Sequence, residues 1–483
     1  MKQKSILLLT LIILLNSGIA NCKNKQAQKP NVLFFLIDDM GWMDVGYNGS
    51  KVYDTPNIDR LAKEATEFTN AYVTHPRCVP SRYSIQTGKY PARIKRPGPG
   101  KMKLSEYTIA EAFKKGGYAT FFTGKWHLAM RGDSYPLAQG YDVNIGGGDA
   151  GAPISYFHPY NEPPHHQFKD EIPHLDEGEE GEYLTDRLTD ETIKFLEGHV
   201  KSTPEKPFFA FVSHYAVHEP LEAKPEDVKR YKKKIAATKF DVPNKVAESN
   251  GFTKMRQDNP EYAGMVHSVD ESLGRILKTL KKLKVDDNTI VLVFSDNGGL
   301  SNTGTEERIL ATSNYPLRAG KGHLYEGGVR VPLIIKGVQQ AQYKGLCDAV
   351  VTGADLYPTL LDMAGLKSEP QQHVDGLSFV KDMKGERNHQ ISDRPIFWHN
   401  SVARPTRTGD YYSTAVRKGR YKLIDFYEQN RVELYNLDKD MEEQHDIAEQ
   451  EPEKAKELKQ LIVEWRNDVN AHFKSKKNKS KWE

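Results

Sequence analysis

Cysteine is scarce in this chain: 483 residues contain three, Cys22, Cys78 and Cys347. That excludes a disulfide framework, and beyond residue 30 the only partner open to Cys78 is Cys347. An excess of one charge is also lacking. The 68 Lys and Arg against 65 Asp and Glu leave a formal charge of +3. Such a field is too weak to argue for nucleic acid, so an anionic ligand has to be met by a local cluster of cations. After the first twenty residues no stretch is long and apolar enough to span a bilayer. Histidines such as His158, His165 and His166 lack the regular spacing of a zinc site and read as solvated loop residues.

The start of the chain carries an export signal. Met1-Lys2-Gln3-Lys4 is basic, and Ile6 to Leu15 is an apolar run of about ten residues, suited to a signal h-region and too short to span. Gly18-Ile19-Ala20 offers small residues for cleavage. The alternative is a lipid-anchored Cys22, although Asn21 is an unusual residue before such a cysteine. Either way export is expected. With the Lys-, Asn- and Ile-rich composition, the expected compartment is the periplasm of a Gram-negative bacterium. The length suggests a large and a small domain. The expected division is a signal over 1–20, a large domain over 30–375, a smaller one over 380–470 and a basic tail over 473–483.

Strand ends organise the large domain. Asn31 to Ile37 is a continuous apolar run, hence a strand buried on both faces in a parallel sheet, and it ends in Asp38-Asp39. Thr289 to Ser295 repeats the pattern and ends in Asp296-Asn297. Open α/β sheets place ligands at such strand ends. Three carboxylates and an amide form an all-oxygen set that suits a hard divalent cation, Ca²⁺ ahead of Mg²⁺, and not zinc. Taken alone, the aspartates would also serve as helix caps. Two further strands end in charge: Tyr118 to Thr123 leads into Gly124-Lys125-Trp126-His127, and Pro207 to Val212 leads towards His214 and His218. His214, nearer its strand, also fits a packed core histidine.

A short strand over Ala71 to Thr74 delivers Cys78-Val79-Pro80-Ser81-Arg82. A helix is expected from Pro80 or Ser81 to Gly88. There Cys78 would be a nucleophile at a helix start that favours anions; alone, Cys-x-Pro is better explained by a buried thiol beside a turn. Arg318, Lys321 and Arg330 lie in a Gly-rich loop that runs into a strand over Val331 to Lys336. Residues 132–181 read as loops rimming a ligand site, and 220–260 as a lysine-rich surface insertion. Helices are expected over Leu184–Leu196 and Tyr262–Leu283. Beyond residue 380, four short strands and a helix from Pro452 predict a small antiparallel sheet with a packed helix.

Together these segments resemble the type I sulfatases of the alkaline phosphatase-like superfamily, from Asn31 to about Trp465. The resemblance rests on Cys78-Val79-Pro80-Ser81-Arg82 with Thr87-Gly88, on Gly124-Lys125-Trp126-His127, on the two strand-end pairs and on Gly320-Lys321-Gly322-His323-Leu324-Tyr325-Glu326-Gly327-Gly328-Val329-Arg330. It implies an α/β fold, with a large, mostly parallel central sheet flanked by helices and a smaller C-terminal antiparallel sheet plus helix. It also implies that Cys78 is oxidised by a formylglycine-generating enzyme and that its hydrate supplies the attacking oxygen. Asp38, Asp39, Asp296 and Asn297, with modified Cys78, would hold one Ca²⁺. Arg82 would orient the hydrate, and Lys125, His218 and Lys321 would bind sulfate oxygens. His127 would take the proton when the sulfated hemiacetal collapses. Ala129, where relatives often carry Gly, lies outside that set.

The implied activity is hydrolysis of sulfate esters on oligo- or polysaccharides, with algal carrageenan or ulvan ahead of glycosaminoglycans. The aromatic residues and histidines of 141–168 suit stacking on sugar rings, and Arg318 is a further candidate substrate contact. A phosphatase or phosphodiesterase of the same superfamily would use Ser or Thr and more metal ligands. A binding protein on this scaffold would have lost part of the catalytic set.

Overall fold

In this computed structural model, residues 29–94, 102–129, 134–160, 172–175, 177–304, 309–338, 344–401 and 407–471 are described. The export signal, Cys22, His165, His166 and the basic tail fall outside them.

Eight strands make the central sheet: β1 (Asn31–Ile37), β2 (Thr66–Phe68), β3 (Ala119–Gly124), β4 (Val143–Ile145), β5 (Phe208–Ser213), β6 (Thr289–Ser295), β7 (Leu333–Lys336) and β8 (Gly345–Cys347). Their order is β8-β2-β7-β6-β1-β5-β3-β4. All pairings are parallel except those of β7, which runs against β6 and β2.

Strand β1 is buried along its whole length because alternate side chains feed two cores. Val32, Phe34 and Leu36 join Ile85 of α2 (Cys78–Thr87), Phe113 of α3 (Ile109–Lys115) and Leu360 of α7 (Leu356–Met363). Leu33, Phe35 and Ile37 join Leu61 of α1 (Pro56–Glu64), Leu188 of α4 (Leu184–Ser202) and Val269 of α6 (Pro260–Lys282). The sheet is therefore covered on both faces, and its strand ends are left to carry ligand groups.

The C-terminal sheet is antiparallel: β9 (Ile396–Asn400), β10 (Ser413–Lys418), β11 (Tyr421–Phe426) and β12 (Arg431–Asn436). One face packs Phe397, Val416, Leu423 and Leu434 on Leu458 and Ile462 of α8 (Pro452–Asp468). The other sends Trp398, Ala415 and Ile424 into the large core. The seam also holds a buried ion cluster. Lys422 Nζ lies 2.9 Å from Glu326 Oε1 and 2.9 Å from Glu443 Oε1, with no side-chain exposure at any of the three. Burial and the neighbouring Glu326 raise the Glu443 carboxyl to about 7 despite the lysine.

Several expectations need correction. Helix α2 begins at Cys78, not at Pro80 or Ser81; Pro80 is still in the first turn, where a missing N–H costs nothing. The strand over 71–74 is only Ala71–Tyr72, paired with Val351–Thr352 outside the main sheet. Segment 220–260 is more than a surface insertion. It contains α5 (Pro225–Ala237) and a hairpin of Lys245–Glu248 with Gly251–Lys254. The loop-rich stretch over 132–181 includes the edge strand β4.

Candidate functional site

Register builds the site. Strands β1 and β6 pair in step from Asn31↔Thr289 to Ile37↔Ser295, so Asp38-Asp39 and Asp296-Asn297 emerge side by side. Oxygens of Asp38, Asp39 and Asp296 lie within 4.8 Å of one another, and all three residues are buried. Asp39 is held in the left-handed region, φ 63°, strain of the kind concentrated at functional sites. Its N–H donates to Asp296 Oδ1 at 3.1 Å.

Three cations close on these carboxylates. Lys125, fully buried just past β3, pairs with Asp38. Lys321 Nζ donates to Asp39 Oδ2 at 2.6 Å. Arg82, one helical turn after Cys78, donates from Nε to Asp296 Oδ2 at 2.7 Å. Its Nη1 reaches the Lys125 carbonyl and Ser213 Oγ, each at 2.7 Å. Cys78 opens α2 beside Arg82 and Lys321, and its charge, when ionised, adds to those raising both cations.

The histidines complete the group. His218 Nε2 lies 3.7 Å from Asp39 Oδ2, while its Nδ1 is 2.7 Å from the Glu219 carbonyl. His127 also adopts positive φ, 57°. Its N–H donates to the Gly148 carbonyl at 3.2 Å. Gly151 lies against its ring, where a Cβ would stand 2.6 Å from Cε1; only glycine permits that approach.

Electrostatics follow from burial and these neighbours. Desolvation, then the adjacent Asp296, pushes the Asp38 carboxyl well above the usual carboxylate range. Asp39 is also desolvated, but the ammonium groups of Lys321 and Lys125 outweigh this and hold it well below that range. Desolvation, then Lys125 and Arg82, keeps His127 neutral. His218 is kept neutral by desolvation and Lys321.

The donor set fits a divalent metal. Asp38 Oδ1 and Asn297 Oδ1 are buried without a hydrogen-bond partner, a costly state that a cation relieves. Arg82 Nη2 stands 3.7 Å from Asp38 Oδ1. Oxygen-only donors match Ca²⁺ or Mg²⁺ chemistry. His127 Nδ1 is likewise buried and without a partner.

Every residue of the expected site, Cys78, Arg82, Lys125, His127, His218, Lys321, Asp38, Asp39, Asp296 and Asn297, falls within this one cluster. Arg318 does not. It is committed to Glu248 at 2.8 Å, to Tyr435 Oη at 3.0 Å and to the Glu443 carbonyl at 3.0 Å, so it clamps the loop carrying Lys321. His214 is a core residue, with Nε2 2.9 Å from Ser272 Oγ.

Sequence reasoning missed the supporting residues. Ser213 holds Arg82. Tyr156 Oη donates to the His218 carbonyl at 2.9 Å, and Gly148 and Gly151 seat His127. The position of Ser213 at the end of a buried strand was the available signal; for Tyr156 there was none.

Comparison with known proteins agrees with this geometry. The family profile described as Sulfatase matches residues 30–366, and one described as N-sulphoglucosamine sulphohydrolase, C-terminal, matches residues 319–468. A protein named sulfatase from Formosa agariphila is 28% identical over 97% of this chain and 93% of its own length. Mouse N-acetylgalactosamine-6-sulfatase is 31% identical over 82% of this chain and 72% of its own. The crystal structure of Ps i-CgsB superposes with a TM-score of 0.75 at 30% identity, covering 93% of this chain and 96% of that one. The same protein has been solved in complex with k-i-k-neocarrahexaose, with the same overlap.

Proposed function

The chain belongs to the sulfatase family, and we propose that it hydrolyses sulfate esters of polysaccharide-derived oligosaccharides, of the algal carrageenan or ulvan type. The observation that carries this reading is the convergence of Lys125, Lys321, Arg82 and two neutral histidines on one buried oxygen cluster beside Cys78. The carrageenan oligosaccharide complex of Ps i-CgsB supports the substrate class. A second reading, a glycosaminoglycan sulfatase, is favoured by the identity to N-acetylgalactosamine-6-sulfatase.

Asp38, Asp39, Asp296 and Asn297 would hold one Ca²⁺, which when bound polarises a sulfuryl oxygen and offsets developing charge. Cys78, once oxidised to formylglycine and hydrated, would supply one hydroxyl to attack sulfur, the ester S–O bond breaking as the sugar leaves as an alcohol, and a second whose ionisation expels sulfate as the C–O bond breaks and the aldehyde re-forms. The protein's own residues do the rest. Lys125 and Lys321 bring two fixed ammonium groups to the sulfuryl oxygens. They act in a water-poor site, where such charges count for more than in solution. Arg82, locked by Asp296, Ser213 and the Lys125 carbonyl, orients the nucleophile. His218 contributes a further polar contact to sulfate. His127, kept neutral by its surroundings, accepts a proton at its imidazole.

The test is sulfate release from ulvan, carrageenan and chondroitin oligosaccharides and from an aryl sulfate. The chain is made with and without a formylglycine-generating enzyme, beside Cys78→Ala. Release that requires both Cys78 and its aldehyde supports the reading, and the responding sugar identifies the substrate. Phosphate release in its place, or no release from chain whose aldehyde is confirmed by mass, overturns it.

A further inference from the structure

We propose that Asn314 is a positioning residue that sets three segments of the site against one another: those carrying Asp39, Asn297 and Lys321. The roles of these three residues rest on the sulfatase reading above.

Asn314 is buried and lies outside every helix and strand, on the irregular stretch between β6 and β7. Its side-chain amide grips the backbone beside two of the three residues. Oδ1 accepts from the Gly299 N–H at 3.2 Å. Nδ2 donates to the Gly299 carbonyl at 3.0 Å and to the Ala319 carbonyl at 3.0 Å, with Ser301 Oγ at 3.1 Å. The Gly299 carbonyl also accepts the Lys321 N–H at 3.0 Å. Gly299 follows Asn297 by two residues, and Ala319 precedes Lys321 by two. One amide therefore fixes a metal-ligand segment and a sulfate-binding lysine relative to each other.

The third segment meets the same amide by close approach. Gly41 follows Asp39 by two residues, and a Cβ placed on it would stand 2.3 Å from Asn314 Oδ1. On Gly299 a Cβ would stand 3.0 Å from Oδ1, and on Gly320 it would stand 2.6 Å from Nδ2. Only backbone without a side chain comes so near. A second link closes the group: Thr312 Oγ1 donates to Asp44 Oδ1 at 2.6 Å, and Asp44 Oδ2 accepts the Gly41 N–H at 2.7 Å.

The chemistry singles out an amide. The Gly299 N–H needs an acceptor and the two carbonyls need donors, which also fixes which end of the amide is oxygen. A carboxylate would turn an oxygen towards both carbonyls, and a hydroxyl is too short to reach all three groups. Asp39 and Ala319 are both held at positive φ, 63° and 61°. Such strain persists only where the surroundings over-determine it, and Asn314 acts on the backbone at or beside both residues.

The experiment measures Ca²⁺ binding to the metal-stripped chain by calorimetry. Loss of a group that supports metal ligands typically costs about 10–100-fold in affinity, so Asn314→Ala should raise the Ca²⁺ Kd at least tenfold. At saturating Ca²⁺ it should also lower kcat/KM at least tenfold on the sugar sulfate identified by the release panel above, because Lys321 is displaced. Asn314→Ser carries the same expectation should the alanine variant not fold. Ile462→Ala, in the core between α8 and the C-terminal sheet, is the control for lost stability: it should lower Tm and leave the Ca²⁺ Kd unchanged. An unchanged Kd in the Asn314 variants, or an equal rise in Ile462→Ala, overturns the proposal, as does an unmutated chain that binds no Ca²⁺. Calorimetry needs neither aldehyde nor substrate. Failure of sulfate release by the unmutated chain is therefore a separate result, which removes the sulfatase reading.

Discussion

Arg82 Nε donates to Asp296 Oδ2 at 2.7 Å, which ties the second turn of α2 to the end of β6. Two other donors of the same guanidinium are already fixed by the Lys125 carbonyl and Ser213. A lysine cannot reproduce that fork. Arg82→Lys should therefore lower kcat/KM for sulfate release by about a hundredfold or more, the loss typical of removing one organised donor from an active site. Mass analysis of residue 78 in the same preparation separates lost catalysis from lost maturation.

The unpartnered oxygens of Asp38 and Asn297 predict stabilisation by metal. At free Ca²⁺ about one hundred times Kd the gain should be about 2.7 kcal/mol, seen as a rise in Tm that chelation reverses. Asp296→Asn should abolish the rise. A chelator-treated chain whose Tm does not respond to Ca²⁺ or Mg²⁺ would count against an oxygen-donor metal centre.

His214 predicts an acid-sensitive stability. Burial pushes its imidazole from 6.5 down to about 3, so protonation favours the unfolded chain. Its contribution is complete above about pH 6.5 and is lost as pH falls towards 3, reaching about 2 kcal/mol at pH 5. His214→Gln should flatten this part of the urea-denaturation profile between pH 7 and pH 5. An unchanged slope would show that the imidazole is not the titrating group.

Lys422 is shared by Glu326 and Glu443. Lys422→Met leaves two buried carboxylates without their cation and should cost about 3–5 kcal/mol in urea unfolding. Glu443→Gln should cost much less, because the carboxyl is already raised to about 7. Comparable losses in the two variants would contradict the shared-cation arrangement.

The strand ends were legible in the sequence because β1 and β6 are continuous apolar runs closed by charge, a pattern produced only when both faces are covered. The four oxygen donors Asp38, Asp39, Asp296 and Asn297 could be named for that reason, whereas the roles of Cys78, Arg82, Lys125, His127, His218 and Lys321 came from the resemblance to the type I sulfatases. The antiparallel course of β7 was not legible: Leu333-Ile334-Ile335 is apolar whichever way it runs, and direction is decided by pairing partners distant in sequence. The start of α2 was misread because proline marks a first turn without marking its first residue. The 245–254 hairpin carries little apolar signal because it rests on polar backbone contacts, such as Asn250 N–H to the Arg407 carbonyl and Lys254 N–H to the Ser301 carbonyl. Arg318 and Lys321 look alike in one basic loop. Only the arrival of Glu248 and Tyr435 from elsewhere distinguishes the clamp Arg318 from Lys321, which pairs with Asp39.

The in-step pairing of β1 with β6 makes the backbone a ruler for the site. The spacing of Asp38 from Asp296 is inherited from the inter-strand distance of about 4.8 Å, and side chains in either core have little leverage over it. Substitutions in the covering helices can therefore drift and alter stability while the ligand spacing persists. Deleting one residue within 289–295 is different in kind. It would reverse the face on which Asp296 and Asn297 emerge, dismantling the oxygen cluster in a sheet that could otherwise still form.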